Sequence, residues 1–361
     1  MSVPISGTVL IIGSGLLGAS IGLALRRAGV RVVIDDQDES ARDLAVERGA
    51  GQPWRADAGE VPTLVVVAVP PAAAGAVMAR ASAFAGATIT DVTSVKQAPL
   101  AEALARGGDP VRIIGGHPMA GREASGAAAA RPDLFDDRVW VVTPLPANSP
   151  ERVDLVRDLA LTCGAVPVVM SPDQHDQAVA LTSHAPQVLS SLLAAQLLDA
   201  DVDAVAVSGQ GLRDMTRIAG SDPALWQAIL GANADAVAAV LATLASDLDG
   251  VIDALRAAHP DAADDRVAVA LERGVAGRAR IPGKHGDDAA DYDAVPVIIR
   301  DEPGELGRLF VAAGDLDVNL EDVRIDHVLG KPSGLVELSV RPESMQRLVE
   351  GLRSRGFDVR A

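Results

Sequence analysis

A short apolar run that breaks into a glycine-rich turn constrains this chain more than any other feature. Thr8-Val9-Leu10-Ile11-Ile12 reads as a buried strand, and Gly13-Ser14-Gly15-Leu16-Leu17-Gly18 opens a helical pattern that runs to Arg27 and ends near Gly29. G-x-G-x-x-G after a strand and at the start of a helix is the dinucleotide fingerprint. Gly13 permits the tight turn, Gly15 lets backbone reach a pyrophosphate, and Gly18 lets helix and strand pack closely. The helix N-terminus adds free N–H groups and a partial positive charge. The next strand, from Val30 to Ile34, ends in Asp35, where a carboxylate can bind a ribose 2′-hydroxyl and repel a 2′-phosphate. Asp36 would strengthen that repulsion if it faces the same way. The expected cofactor is therefore NAD rather than NADP, with Gly13, Ser14, Gly15, Leu16, Leu17, Gly18 and Asp35 as contacts. The alternative for Asp35 is a strand-end acid in a turn.

More apolar runs follow at the spacing of a parallel sheet. Leu64 to Val69 is halted by Pro70-Pro71, which places Val69 and Pro70 at the cofactor edge. Ala87 to Asp91 leads into Val92-Thr93-Ser94-Val95-Lys96, and Val111 to Ile114 reads as a strand leading into Gly115-Gly116-His117-Pro118-Met119-Ala120-Gly121, with Glu123 and Gly126 beyond. Open α/β sheets carry their reactive groups at such strand ends. A neutral imidazole at His117 can take a proton near pH 7; equally, it can hydrogen-bond its own loop. Ser94 can orient that imidazole, act as a helix N-cap, or do both. Ser94 also counts as a cofactor contact at this edge. Arg138–Thr143 and Ala165–Met170 are expected to close the sheet, with a helix from about Ser149 to Cys163 between them.

Composition narrows the class. Only 2% of the 361 residues are aromatic against 48% apolar overall, so the cores must be built from Ala, Val and Leu. A net charge of −17 argues against a nucleic-acid surface, which needs a basic face. An anionic substrate would need local Arg or Lys. The lone Cys163 excludes a disulfide framework and fits a reducing compartment, and the N-terminus has no signal-peptide pattern. The expectation is a cytoplasmic protein without membrane or nucleic-acid partners. The six histidines lack ligand spacing, so no metal is expected.

After about residue 170 strands give way to Ala/Leu-rich helices. Ser171-Pro172-Asp173 starts one that carries His175-Asp176 and Thr182-Ser183-His184-Ala185-Pro186-Gln187. Pro186 in mid-helix should bend it beside Ser183 and His184. In Gly211-Leu212-Arg213-Asp214-Met215-Thr216-Arg217, Arg213 and Arg217 share a helical face and suit a carboxylate, or else salt bridges to Asp214 and its neighbours. Ser221-Asp222-Pro223 caps the next helix, with Trp226 in its first turn. Leu225 to Leu255 is apolar on so many sides that burial against a second subunit is expected.

Taken together, these motifs resemble the prephenate and arogenate dehydrogenases of tyrosine biosynthesis. The resemblance is carried by the glycine loop, Asp91-Val-Thr-Ser94-Val-Lys96, Gly116-His117-Pro-Met-Ala-Gly121 with Glu123, Ser183-His184-Ala-Pro186, Arg213-Asp214-Met-Thr-Arg217 and Ser221-Asp-Pro-Ala-Leu-Trp226, in family order over about residues 8–280. It implies a Rossmann-like α/β domain, an all-α dimerisation domain, and NAD-dependent oxidative decarboxylation of prephenate. In that reaction His117 is the proton acceptor and Ser94 orients it. Arg217 holds a substrate carboxylate, and Glu123, Ser183, Gln187, Asp214 and Trp226 line or brace the pocket. Many relatives carry a histidine where Gln187 stands, which leaves arogenate as the alternative substrate. Other readings are a β-hydroxyacid or imine reductase on the same scaffold and a dinucleotide sensor without turnover.

The organisation read from the sequence is residues 1–170 Rossmann-like, 171–280 helical, 281–293 a Gly/Asp-rich linker, and 294–361 a small α+β unit. Its βαββαβ order, with Pro303-Gly304-Glu305-Leu306 and Val318-Asn319, resembles an ACT domain. By that resemblance Gly304, Glu305, Leu306 and Asn319 would line an effector site for tyrosine; the alternative is an oligomerisation module that binds nothing.

Overall fold

The computed structural model describes residues 5–55, 57, 59–120, 126–257, 260–281, 292–327 and 333–360. Packing divides the chain into two units, Met1–Thr243 and Leu244–Ala361.

The first unit opens with β1 (Thr8–Ile12), α1 (Leu16–Arg27), β2 (Arg31–Asp35), α2 (Glu39–Glu47), β3 (Gln52–Pro53), β4 (Leu64–Val67), α3 (Pro71–Ala81) and β5 (Thr88–Asp91). These strands form a five-stranded parallel sheet in the order β3-β2-β1-β4-β5. β1 lies at its centre with both faces covered: Val9 and Ile11 enter one apolar cluster, Leu10 and Ile12 the other. That explains the unbroken apolar runs. The register sets Ile12 beside Asp35 on one side and Val67 on the other, with Asp91 level with Val67. Four strands thus end on one line. The chain leaves β1 to one side and returns on the other, the switch point at which such sheets bind ligands. The brief strand β3 was not read in the sequence; two residues carry no periodicity.

The sequence reading of one closing sheet needs correction. After α4 (Gln97–Ala105) come β6 (Gly115–Pro118), β7 (Val139–Thr143), α5 (Pro150–Thr162) and β8 (Val166–Val169). These form a separate three-stranded sheet, with β6 antiparallel to β7 and β7 parallel to β8. The expected strand Val111–Ile114 reduces to one bridge, Ile89 to Ile113. Asp109 turns the backbone by accepting from the N–H groups of Val111 and Arg112, and Asn148 donates to the carbonyls of Pro110, Val111 and Ile113. His117 accordingly stands inside a strand, opposite Val141, and not on the loop that its glycines suggested.

Helices follow, as the change of pattern predicts. α6 (Pro172–Val179) begins with a capping box between Ser171 and Gln174. A π turn, Ala180–His184, joins it to α7 (Ala185–Ala195). Pro186 has no N–H to give the preceding turn, and the wider turn absorbs that loss. α8 (Val202–Ala206) and α9 (Gln210–Thr216) lead to a 3₁₀ turn, Arg217–Gly220, and α10 (Pro223–Ala232), capped by Asp222. The long helical run expected from Leu225 breaks at Asn233, where α11 (Ala234–Arg256) leaves at 96°. No single helix among the described residues is long and apolar enough to cross a membrane.

The second unit holds the end of α11, α12 (Pro260–Arg278) and a βαββαβ run: β9 (Asp293–Arg300), α13 (Glu305–Asp315), β10 (Asp322–His327), β11 (Ser333–Val340), α14 (Pro342–Ser354) and β12 (Asp358–Val359). The antiparallel pairs β10–β11, β11–β9 and β9–β12 make one sheet. Val295, Val297, Val336 and Leu338 face Leu309, Leu348 and Leu352 in its core. The linker reading falls, over 282–291, outside the described residues.

Candidate active site

The glycine loop lies where β1 ends. Gly13 adopts φ +103°, and a Cβ there would stand 2.3 Å from the Ala68 carbonyl oxygen; one on Gly18 would stand 1.9 Å from the carbonyl oxygen of Gly13. Neither position admits a side chain. A Cβ on Gly15 meets nothing within 4 Å, so the free space lies at that glycine. Gly15 is also the N-cap of α1, whose first turn has no side-chain cap and no acid. Open space before uncapped N–H groups fits a pyrophosphate. Ser14 is buried, Leu16 and Leu17 are partly buried, Val69 packs towards Gly13, and the exposed Pro70 is the N-cap of α3.

The acid set against this loop is Asp36 and not Asp35. The Asp36 carboxylate accepts from the backbone N–H of Ser14 at 2.6 Å and from its hydroxyl at 2.7 Å. Asp35 contributes its backbone: its carbonyl accepts from Gly13 N–H at 2.8 Å. Successive residues leaving a strand point to opposite sides, and spacing alone does not say which of two adjacent acids turns inward.

Around His117 the sequence placed some groups and missed others. Gly115 and Gly116 are small because of protein packing: a Cβ on Gly115 would stand 2.3 Å from Thr143 Oγ1, and one on Gly116 2.7 Å from the carbonyl oxygen of Asp91. Lys96 is buried below this strand, paired with Asp91, and donates to the Gly116 carbonyl at 2.6 Å. Burial pulls the Lys96 ammonium below its ordinary range, while Asp91 and Asp176 oppose that shift.

The His117 ring is not held by Ser94. No hydrogen bond joins them, and the N-cap of α4 is Lys96, so neither expected role of Ser94 as orienter or cap is seen. Instead His117 Nδ1 lies 2.8 Å from His175 Nε2, and His175 Nδ1 lies 2.7 Å from Asp176 Oδ1. Asp176 also accepts the backbone N–H groups of Lys96 and Gln97, both at 2.8 Å, and so closes the start of α4 from another helix. His117 is 8% exposed, and Nε2 has no hydrogen-bond partner among the described residues. Burial, then the electrostatic influence of His175, Lys96 and His184, holds the His117 imidazole well below its usual pKa, so it is neutral near pH 7. The adjacent pair His175-Asp176 was visible in the sequence, but nothing in the spacing showed that α6 brings it to β6.

The helical part adds a third buried imidazole. His184 packs edge-on against Trp226 with ring centroids 6.1 Å apart, and burial lowers its pKa to about 4, with Asp176 opposing and His175 assisting. Asn233, at the break between α10 and α11, donates to the Asp176 carbonyl at 2.8 Å and lies 3.1 Å from His184 Nδ1. Gln187 is buried and donates to the Ile218 carbonyl at 3.0 Å, next to Arg217. Arg217 and Asp214 are exposed, the Asp214 carboxylate accepting from Gln210; Ser183 is partly buried. No hydrogen bond joins Arg217 to His117. Glu123 lies outside the described residues.

A parallel sheet with an open glycine loop at its switch point, a neutral imidazole on the adjoining sheet and helices around it define a dinucleotide-dependent oxidoreductase with a Rossmann-like domain. The comparisons carry this further. The family model described as prephenate dehydrogenase, nucleotide-binding domain, matches residues 21–169, and that described as prephenate dehydrogenase, dimerization domain, matches 171–268. The probable prephenate dehydrogenase NovF of Streptomyces niveus is 36% identical over 357 residues, 96% of this chain and 98% of that one. Among solved structures, prephenate dehydrogenase from A. aeolicus in complex with hydroxyphenyl propionate and NAD+ is similar at 26% identity and TM-score 0.68, covering 78% of this chain and 99% of the other. Synechocystis arogenate dehydrogenase is similar at 26% identity and TM-score 0.66, covering 75% and 98%. The chain belongs to the prephenate dehydrogenase family.

Proposed function

We propose that the chain catalyses the NAD-dependent oxidative decarboxylation of prephenate to 4-hydroxyphenylpyruvate. The observation that carries this reading is the buried, neutral His117, with Nδ1 engaged and Nε2 without a partner among the described residues, in a chain of this family. Bound NAD supplies the hydride acceptor. His117 Nε2 takes the proton of the ring hydroxyl as hydride leaves the same carbon. The electron pair of the ring–carboxylate bond then moves into the ring towards the developing ketone, CO2 departs, and the phenolate oxygen takes a proton. A neutral base is required for the first step. Arg217 would hold the side-chain carboxylate, since a cation on the departing carboxylate would oppose its loss. Trp226, Ser183, Asp214 and Gln187 would complete the pocket, and Gly13 to Gly18 with Asp36 would cradle the dinucleotide.

The exposed leucines of the helical segment, Leu181, Leu192 and Leu198 among them, support a homodimer through that segment. The βαββαβ unit supports an ACT-like reading. Its β9–α13 turn passes through Gly304 at φ +94°; Leu306 packs on the core, Glu305 pairs with Arg308 and Arg300, and Asn319 donates to Glu321. Tyrosine is the proposed effector there.

The test is turnover of prephenate and arogenate with NAD and NADP, with and without tyrosine, in the wild type and in His117→Asn. The proposal expects prephenate with NAD to be preferred and H117N to lose the chemical step while binding NAD with near-normal affinity. Unchanged turnover by H117N would remove His117 from the mechanism.

A further inference from the structure

We infer that His175 and Asp176 are positioning residues that set the tautomer of His117, so that its lone pair stands on Nε2 and its proton on Nδ1. The inference rests on the reading of His117 as the base and extends it to a chain of three buried side chains: Asp176 at 1%, His175 at 0% and His117 at 8% exposure.

The direction of the chain follows from its fixed end. A carboxylate only accepts. Both Asp176 oxygens already accept backbone N–H groups, Oδ1 from Lys96 and Oδ2 from Gln97, and His175 Nδ1 approaches Oδ1 at 2.7 Å. The proton of that contact therefore sits on His175 Nδ1. A neutral imidazole carries one proton, which leaves a lone pair on His175 Nε2. The atom facing that lone pair at 2.8 Å is His117 Nδ1, so His117 donates from Nδ1. Its own lone pair is then on Nε2, the nitrogen without a partner among the described residues. With one proton on each ring, the reverse tautomer would set two acceptors against each other at one of the two contacts.

The surrounding charges act in the same direction. Lys96 and His184 face the His117–His175 pair from α4 and from the π turn, while Asp91 neutralises Lys96 from the end of β5. The Coulombic influence of Lys96 and His184 favours a neutral His117, and Asp176 is the carboxylate at the far end of the relay. Removing the acceptor at residue 175 would free His117 to place its proton on Nε2, where it cannot serve as a base. In the serine-protease triad the comparable loss of tautomer control lowers kcat by about 10⁴-fold.

The first measurement needs no variant. Ring 15N shifts of histidine-labelled wild-type protein at pH 7.5 should show both His117 and His175 protonated at Nδ1 and bare at Nε2, with assignments from H117N and H175Q. A His117 ring protonated at Nε2 would overturn the inference whatever the role of His117 in turnover. The second measurement compares His175→Leu with His175→Gln, whose side-chain oxygen can still accept from His117 Nδ1. H175L should lose on the order of 10²–10⁴-fold in kcat, by analogy with the triad, with KM and NAD affinity little changed, and H175Q should recover at least about tenfold of that loss. Equal kcat in the two variants, or a loss confined to KM, would refute the positioning role. Unchanged turnover in H117N with the expected tautomers would be failure of the base alone, and loss of turnover in H117N with His117 protonated at Nε2 would be failure of the positioning alone.

Discussion

At the scale of single residues, burial decides what the charged groups around His117 can do. Lys96 and Asp91 form a pair with side-chain exposures of 2% and 3%, and the ammonium also holds the Gly116 carbonyl, one residue before the imidazole. Lys96→Met removes one partner and leaves Asp91 buried without its counter-ion, which costs about 3–5 kcal/mol. Chemical denaturation should show a loss of that order. A change below about 1 kcal/mol would mean that the pair is more hydrated than its burial implies. His117 carries a pH consequence as well. Its pKa lies well below 6.5, so the base stays neutral through pH 7 and gains a proton only on stronger acidification. kcat/KM should be level from pH 8 to about 6.5 and fall below it, with the acid limb centred under the ordinary histidine value. A limb centred at or above 6.5 would contradict the burial of this ring.

At the scale of elements, the turn between β1 and α1 separates two kinds of glycine. Gly18 is required by packing, since its Cβ would collide with the Gly13 carbonyl, while Gly15 faces open space. Gly18→Ala should destabilise the fold by about 1–3 kcal/mol through overpacking and weaken NAD binding as a result. Gly15→Ala should leave the melting temperature near that of the wild type and raise the Kd for NAD. An unchanged Kd for NAD in Gly15→Ala would mean that the free space at Gly15 is not where the dinucleotide lies. The π turn and the break at Asn233 are the other decisive elements. The turn sets His184 beneath Trp226, and Asn233 ties His184 to the Asp176 carbonyl, so three helices converge on one buried histidine.

At the scale of the molecule, burying neutral imidazoles makes stability depend on pH. The His117 and His184 pKa values fall on folding, to about 4 for His184. Between about 6.5 and the folded values the unfolded chain binds protons that the folded chain does not, so stability declines as pH falls through that window. Melting curves should shift to lower temperature between pH 7 and 5, and His184→Gln should flatten the dependence. An unchanged slope in that variant would assign the acid sensitivity to other groups.

The sequence by itself determined the local chemistry. The β1–α1 fingerprint, the helix start at Ser171-Pro172-Asp173, the cap at Ser221-Asp222-Pro223 and the βαββαβ order of the tail were legible because each is written in neighbouring residues, where a turn, cap or period has a direct steric cause. The resemblance of ordered motifs to the family named His117 and Arg217 as candidates. Tertiary structure decided what depends on which distant groups meet. It chose Asp36 over Asp35 at the glycine loop, His175 over Ser94 as the partner of His117, a second sheet over one continuous sheet, and a sharp break at Asn233 where apolar periodicity ran on. In each case a hydrogen bond or close contact between residues far apart in the chain settled the outcome, and such pairings leave no periodic trace in a linear sequence.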